Sequence, residues 1–454
     1  MLKVLDLFAG AGGMSYGFMQ TGRFEVAVAV EIDQFAQQTY RMNHPAALVL
    51  GDIEQIDFEN LVLQNGPIDI VIGGPPCQGF SNANRQRNQL ISSNNQLVKT
   101  YVEAVLQVTP KVFVMENVGM LQSKTHRFFV TNTEKSKINN SNISLVRERL
   151  ELNASKVLAQ LFFVTPVSAD ICRKMAIGPK DYNILHALYN SCSSYKRLST
   201  HLSKHKSKID KCIKRLLSSY SGKNDKVQEA TYNALKELDS KLAISPCNIV
   251  FIQNCLKSIF GIQKPLQILL ELYKNDIDFQ IDFYKQSLGV RIQTYPVEEY
   301  LLNSLGEQYH LVAGTLNANH FGVPQSRERY ILLGILKELV SENMVSLPKP
   351  ISDTCPYNVR DAIEDLEHVT ITTEPDWTIE VPASDTSKKT KYQQYVRDSA
   401  VIHNHITTES QDIALRRFAA LEPGQNFHDL SDELKLETYS NVERTQNTIY
   451  KRLD

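Results

Sequence analysis

No CxxC pair, no zinc-type spacing of cysteine and histidine, and no apolar run near the ~18 residues of a membrane span occur in this sequence. The seven cysteines, Cys77, Cys172, Cys192, Cys212, Cys247, Cys255 and Cys355, are scattered. That excludes a disulfide framework, gives no metal site, and suits reduced thiols in a cytoplasmic setting. No signal-peptide pattern precedes the first apolar segment, which begins within Met1–Asp6, and no internal repeat is visible. The chain therefore reads as soluble. Net charge is almost absent as well, at −1 over 454 residues. Such balance does not exclude a nucleic-acid partner, because local patches matter more than the total. With 42% hydrophobic residues the composition is globular, and the length predicts two or three domains.

What is present begins with a rhythm. Over 1–123, short apolar strands (3–8, 25–31, 47–50, 68–72 and 111–115) alternate with amphipathic segments such as Phe35–Asn43 and Asn95–Val108. Alternation of that kind means βαβ units and a mostly parallel α/β sheet. Phe8-Ala9-Gly10, Glu31, Asp52, Cys77 and Glu116 fall just past the strands' C-terminal ends, the edge at which open α/β sheets bind ligands. Residues 124–305 then form a basic, Lys-, Ser- and Asn-rich segment with helical periodicity and few sheet signals. Its most biased part, 121–220, holds 18 Lys and Arg against 6 Asp and Glu. Sheet patterning returns over 306–345, with Tyr309–Leu316 and Tyr330–Leu336 expected to pair. Residues 346–454 follow as a Pro-containing linker and a weakly patterned region.

Four constellations carry chemistry. In Asp6–Ser15, glycines between a strand and a helix leave backbone N–H groups free for a ligand, though a Gly-rich turn alone is weak evidence. Glu31, at the end of the next strand, can accept from ribose hydroxyls, and Asp52 can hold an adenine amino group. Either acid alone reads equally well as a solvated strand end, but their joint spacing points to a nucleoside. Cys77 sits in Gly73-Gly74-Pro75-Pro76-Cys77-Gln78-Gly79, at the tip of a stiff turn. A free cysteine is most often a small buried hydrophobe, yet this approach argues against packing and for a nucleophile. Glu116, in Val114-Met115-Glu116-Asn117-Val118, is either a helix-start acid or a proton donor to a ring nitrogen. Gln325, Arg327 and Arg329 lie on an extended segment whose two arginines share one side. They suit phosphate or base oxygens, against the alternative of solvated surface residues.

In this order the segments resemble the cytosine-C5 DNA methyltransferase family. The matching elements are Phe8-Ala9-Gly10-Ala11-Gly12, Glu31, Gly51-Asp52-Ile53, Pro76-Cys77-Gln78, Glu116-Asn117-Val118 and Gln325–Arg329, over about 160 residues. The resemblance implies a SAM-dependent, Rossmann-like methyltransferase fold, S-adenosylmethionine as cofactor, and a flipped-out cytosine of double-stranded DNA as substrate. Phe8, Gly10, Gly12, Glu31, Asp52, Ile53 and Pro75 would form the cofactor site. Cys77 would add to C6 while Glu116 supports protonation at N3, with Arg329 on the cytosine O2 and Arg327 supporting it or binding phosphate. The segment 79–95, with Arg85 and Arg87, resembles a loop that closes over DNA, and Gln325 would also contact it. Amino-group methyltransferases carry an Asp/Asn-Pro-Pro-aromatic turn instead, so Gly74-Pro75-Pro76-Cys77 argues against them. A bacterial or phage restriction–modification setting, cytoplasmic and nucleoid-associated in use, follows from family habit.

Two departures stand out. Gln325 follows Glu116 by 209 residues, far more than in compact members of the family, and the basic segment fills the difference. That segment is open to three readings: contact with DNA backbone, a solvated decoration, or a docking surface. The family's Arg-x-Leu-Thr-x-Arg-Glu and Gly-Asn-x-Val-Pro-Pro elements are also missing after Val359–Leu366, and Tyr450-Lys451-Arg452-Leu453 resembles the stretch that normally precedes both. The expectation is a large subunit completed by a second chain. A truncated product, a non-catalytic SAM- or DNA-binding protein, and a tRNA cytosine-C5 methyltransferase are the alternatives. Gln78-Gly79-Phe80-Ser81 leans toward the DNA enzymes.

Overall fold

The computed structural model describes residues 1–76, 94–123, 126–221, 225–244, 248–285, 287–353, 355–367, 369, 378–380, 389–397, 401–403, 405–407 and 409–436. The expected first strands form as β1 (Leu2–Leu7), β2 (Phe24–Val30), β3 (Leu48–Leu50), β4 (Ile70–Gly73) and β5 (Val112–Val118). Between them lie α1 (Gly13–Met19), α2 (Gln34–Asn43), α3 (Phe58–Asn65) and α4 (Asn94–Val108). β4 is buried at every residue, which is why it reads as an unbroken apolar run. Asp33 and Asp57 start α2 and α3 by accepting the Ala36 and Asn60 N–H groups.

The segment 124–305 is more than helical. It holds β6 (Arg127–Phe129), α5 (Lys135–Asn139), β7 (Val146–Glu151), α6 (Lys156–Val164), α7 (Ala169–Met175), α8 (Pro179–Ser191), α9 (Tyr195–Tyr220), α10 (Lys226–Leu242), α11 (Ile249–Lys274), β8 (Phe279–Tyr284), β9 (Ser287–Pro296) and α12 (Val297–Leu305). β9 pairs antiparallel with β6, β7 and β8, a sheet that sequence patterning does not announce. Helices α8 to α11 bury a second core around Leu185, Leu188, Ile213, Leu235, Leu256 and Ile259. Lys99 of α4 ties the large sheet's layer to this region. Its ammonium pairs with Glu134 at 2.6 Å and lies 5.0 Å over the Phe128 ring and 5.5 Å over that of Tyr295.

With β10 (Tyr309–Asn317) and β11 (Glu328–Leu336) the large sheet reads β10-β11-β5-β4-β1-β2-β3. The pairs β1–β2, β2–β3, β1–β4 and β4–β5 are parallel. Strand order reverses between β1 and β4, so the crevice at their C-terminal ends is the topological switch point. Phe113 in the middle of this layer is fully buried, worth about 1.5–3 kcal/mol relative to exposure.

By contact density the chain divides into Met1–Gly314 with Tyr330–Leu347, and Thr315–Arg329 with Pro348–Asp454. The second unit contains short helices, Val359–Ile363, Lys391–Val396 and Asp412–Ala419, and the strand pair Thr378–Glu380 and Val401–His403. Its small apolar cluster is Leu421, Phe427 and Leu430. Arg417 is buried beside it, 5.6 Å over the Phe427 ring, and donates to the Leu434 carbonyl at 2.6 Å.

Candidate active site

One lip of the switch point is the turn after β1. Phe8 and Gly10 both take φ +57°, and Gly12, at φ +89°, starts α1. A Cβ on Gly12 would lie 2.5 Å from His44 Nε2, so conformation and space both require glycine there. The Gly10 N–H donates to Glu31 Oε2 and the Asp33 N–H to Glu31 Oε1, each at 2.8 Å. The carboxylate is thus fixed from both sides, and its remaining lone pairs can take further donors such as paired ribose hydroxyls. Gln37 Nε2 donates to the Glu31 carbonyl at 2.6 Å and holds the same residue from α2.

Beneath this lip lies a buried polar chain that the sequence does not announce. Tyr40 donates its hydroxyl to Asp6 Oδ2 at 3.0 Å and lies 3.1 Å from Ser15 Oγ. Ser15 is 3.2 Å from His44 Nε2, and both His44 Nε2 and Ser15 Oγ reach the Gly12 carbonyl, at 3.2 and 3.1 Å. Burial pushes the Asp6 carboxyl up to about 6, against hydrogen bonds from Ser15 and Tyr40 that pull it down. Burial lowers the His44 pKa, favouring the neutral ring. The available signal was Tyr40 and His44 at i, i+4 along α2 and its C-cap, which places them on one side.

The opposite lip is the turn after β4. Asn117 is buried and donates from Nδ2 to the Pro75 carbonyl at 3.0 Å, while its Oδ1 accepts the Val118 N–H at 2.8 Å. An added Cβ on Gly74 would sit 3.2 Å from Glu116 Oε2, so the carboxylate lies directly against this backbone. Pro75 is buried. Cys77, Arg85 and Arg87 lie outside the described residues. The other cysteines offer a contrast: Cys172, Cys192, Cys212 and Cys255 are buried. Burial pushes the thiols of Cys172 and Cys212 up to about 12, which keeps them protonated.

Asp52 and Ile53 follow β3, whose Leu50 carbonyl accepts the Glu31 N–H at 3.0 Å, so they adjoin the Glu31 lip. Asp52 spends Oδ1 on the Glu54 N–H at 3.0 Å, capping a short turn of 3-10 helix, and Ile53 is buried in the main core. In the second unit, Asn317 Oδ1 accepts the Arg327 N–H at 3.1 Å, and its Nδ2 donates to Ser326 Oγ at 3.3 Å. Gln325 and Arg327 are exposed there, while Arg329 is half-buried and donates from Nη1 to the Glu328 carbonyl at 2.7 Å. The structure thus gathers Phe8, Gly10, Gly12 and Glu31 on one lip and Pro75 with Glu116 on the other. Among the described residues, no helix is long and apolar enough to cross a membrane.

Comparison with known sequences bears on this edge. A sequence model of the C-5 cytosine-specific DNA methylase family matches residues 2–143 and 297–451. The Type II methyltransferase M.DdeI of Desulfomicrobium norvegicum is 42% identical over 127 residues, 27% of this chain and 30% of that protein. M1.HphI of Haemophilus parahaemolyticus is 38% identical over 185 residues, 40% of this chain and 46% of its own. M.HgiGI of Herpetosiphon aurantiacus is 39% identical over 127 residues, 28% of this chain and 98% of that protein. The chain thus spans less than half the length of the first two relatives.

Proposed function

Because this chain belongs to the C-5 cytosine-specific DNA methylase family, we propose that it transfers a methyl group from S-adenosylmethionine to C5 of cytosine in double-stranded DNA. The observation that carries the reading is the switch point itself. A carboxylate fixed for a nucleoside stands on one lip, and on the other an acid lies against the turn that leads into Pro76-Cys77.

Glu31 would hold the ribose, and the turn Phe8–Gly12 would lie along the cofactor's remaining length. The fit is physical: a Cβ on Gly10 would meet nothing within 4 Å, so the backbone there is open to a ligand. When bound, S-adenosylmethionine supplies the electrophilic methyl group that C5 accepts. The chain's own residues prepare that carbon. Cys77, which follows the pinned turn directly, bonds as thiolate to C6, and Glu116 delivers a proton to N3, so that C5 becomes an enamine carbon. The C5 proton then passes to solvent, the N3 proton returns to Glu116 and Cys77 departs as thiolate, which restores the ring. Arg329 takes the cytosine O2 and Arg327 supports it, with Arg85, Arg87 and Gln325 on the DNA. Asp52 takes the adenine amino group from the end of β3, its turn held by the Glu54 N–H, and Ile53 stands beside it in the cofactor site.

On this reading 1–123 and 306–345 form the catalytic core, 124–305 is an insertion and 346–454 contributes to target recognition. Adding a polypeptide that carries a Gly-Asn-x-Val-Pro-Pro segment tests whether that element of the family is needed for transfer. The test is transfer of tritiated methyl from S-adenosylmethionine to duplex DNA, by the chain alone and with such a polypeptide added. Transfer that disappears in Cys77→Ser supports the reading, and full turnover by that variant overturns the nucleophile. Equal transfer onto tRNA would move the substrate to RNA.

A further inference from the structure

We propose that the exposed face of α9 is a binding surface for the phosphate backbone of duplex DNA, separate from the site that handles the base. The inference rests on DNA being the substrate. Its first ground is charge segregation. Residues 121–220 carry 18 Lys and Arg against 6 Asp and Glu, a local net of +12 (18 − 6), whereas the whole chain nets −1. The rest of the chain therefore nets −13 (−1 − 12), so the cations are gathered in one region rather than spread for solubility.

The second ground is where α9 puts them. The helix begins at a Ser194 cap and buries Leu198, Ile209, Cys212, Ile213, Leu216 and Tyr220 along one side. At about 100° per residue, Lys196, Arg197, Lys204, Lys208, Lys211 and Lys214 fall within about 120° of the opposite side. All six are exposed, and among the described residues none forms an ion pair. The positions between them on this face are Thr200, Ser207 and Ser218, also exposed, whose hydroxyls can donate to phosphate. The acid of this helix, Asp210, lies off the face and is occupied by Lys206 at 2.6 Å. Arg215 is taken by Asp181 of α8. A solvated surface helix usually mixes both signs at i, i+4, because such pairs support it. Here six like charges are spread over about 27 Å of helix, a repulsion that a polyanion relieves.

Duplex DNA is the occupant this chemistry fits. It presents a charge per about 1.7 Å of axis, and neutralising phosphates releases counterions, so log affinity falls with log salt by about 0.9 per contact. The test uses the full chain with Lys204, Lys208, Lys211 and Lys214 all changed to Gln, and a companion with the same four changed to Arg. Affinity for a fluorescent duplex is measured from low to physiological salt, with thermal unfolding as the control for folding. The Gln variant should bind more than about tenfold more weakly at low salt, with a slope shallower by about 2 to 4, and the Arg variant should match the parent. Unchanged affinity and slope in the Gln variant would overturn the proposal, leaving the face to solvent or an acidic protein. So would an Arg variant as weak as the Gln variant. Methyl transfer scored in parallel separates the two readings. Transfer with an unmoved slope sinks the α9 surface alone, and a moved slope with no transfer by the parent, either alone or with a Gly-Asn-x-Val-Pro-Pro polypeptide added, sinks the methylation reading alone.

Discussion

Behind the Phe8–Gly13 turn stand four buried side chains, Asp6, Ser15, Tyr40 and His44, joined by hydrogen bonds that end on the Gly12 carbonyl. The Gly74–Pro76 turn, across the same switch point, is held by two prolines and the amide of Asn117. The lip proposed for the nucleoside therefore has its support spread over a network in which losing one member leaves others in place. On the lip proposed for catalysis, proline stiffness supplies the shape and one buried amide fixes the position. Rigidity at that lip is covalent and local, and at the other it is assembled from three elements of the fold. Substitutions should accordingly harm turnover on one side and cofactor affinity or stability on the other.

Among changes on the two lips, the largest effect should come from Glu116→Gln, which keeps the shape against Gly74 but removes the carboxylate. Turnover should fall by about 10²- to 10⁴-fold while S-adenosylmethionine still binds, as read by single-turnover methyl transfer beside a binding isotherm. An unchanged rate would take Glu116 out of the chemistry. Asn117→Ala should follow. It leaves the buried Pro75 carbonyl without this donor, a loss of about 1–3 kcal/mol, and lets the approach to Cys77 drift. A misplacement of that kind lowers turnover by about 10²-fold. If Asn117→Ala weakened cofactor binding and spared turnover, the comparison of the two lips would be reversed.

How much of this was legible follows from which contacts are local. The strands of the large sheet were readable because most are short apolar runs set between helical stretches, and Ile70–Gly73, buried at every residue and ending in Gly, is the plainest case. Phe8 and Glu31 were readable because they follow such runs directly, whereas Glu116, expected just past a strand ending at 115, lies inside β5, which runs on to Val118. The sheet inside 124–305 was hidden. Val146–Glu151 reads as a charged surface segment, and its partner β9 lies about 140 residues away. Its charges are satisfied across strands instead: Asp282 takes Arg149 Nε at 2.6 Å and Arg291 Nη2 at 2.7 Å. Cross-strand ion pairs replace the apolar alternation by which such a strand is recognised. The network under Gly12 was hidden for a similar reason. Asp6, Ser15, Tyr40 and His44 are each unremarkable in sequence and meet only when β1, α1 and α2 pack.

That network also gives the nucleoside lip a pH dependence. Asp6 in the folded chain has its carboxyl raised to about 6, from 3.8. A raised value means the folded state binds the proton more tightly, so the stability this proton contributes is fully present below about 3.8 and is lost as pH rises through about 6. Between pH 7 and 4.5 the gain from this group is about 2 kcal/mol. Asp6→Asn should remove that increment, seen as the difference between parent and variant in urea unfolding at the two pH values. Parallel curves for the two proteins would show that Asp6 does not carry the dependence.

The smallest effect expected is that of Tyr40→Phe, and it is the sharpest test of the comparison. The ring stays buried beside His44, with centroids 4.4 Å apart, so packing is kept and only the hydroxyl is lost. Asp6 Oδ2 loses its donor, while Ser15 and His44 still reach the Gly12 carbonyl. If support on this lip is spread, the change should weaken S-adenosylmethionine binding by no more than about tenfold, near 1 kcal/mol, and leave turnover at saturating cofactor unaltered. A fall in turnover matching that of Asn117→Ala would mean that both lips are held as one unit and that the network reaches the catalytic side through β1 and β4.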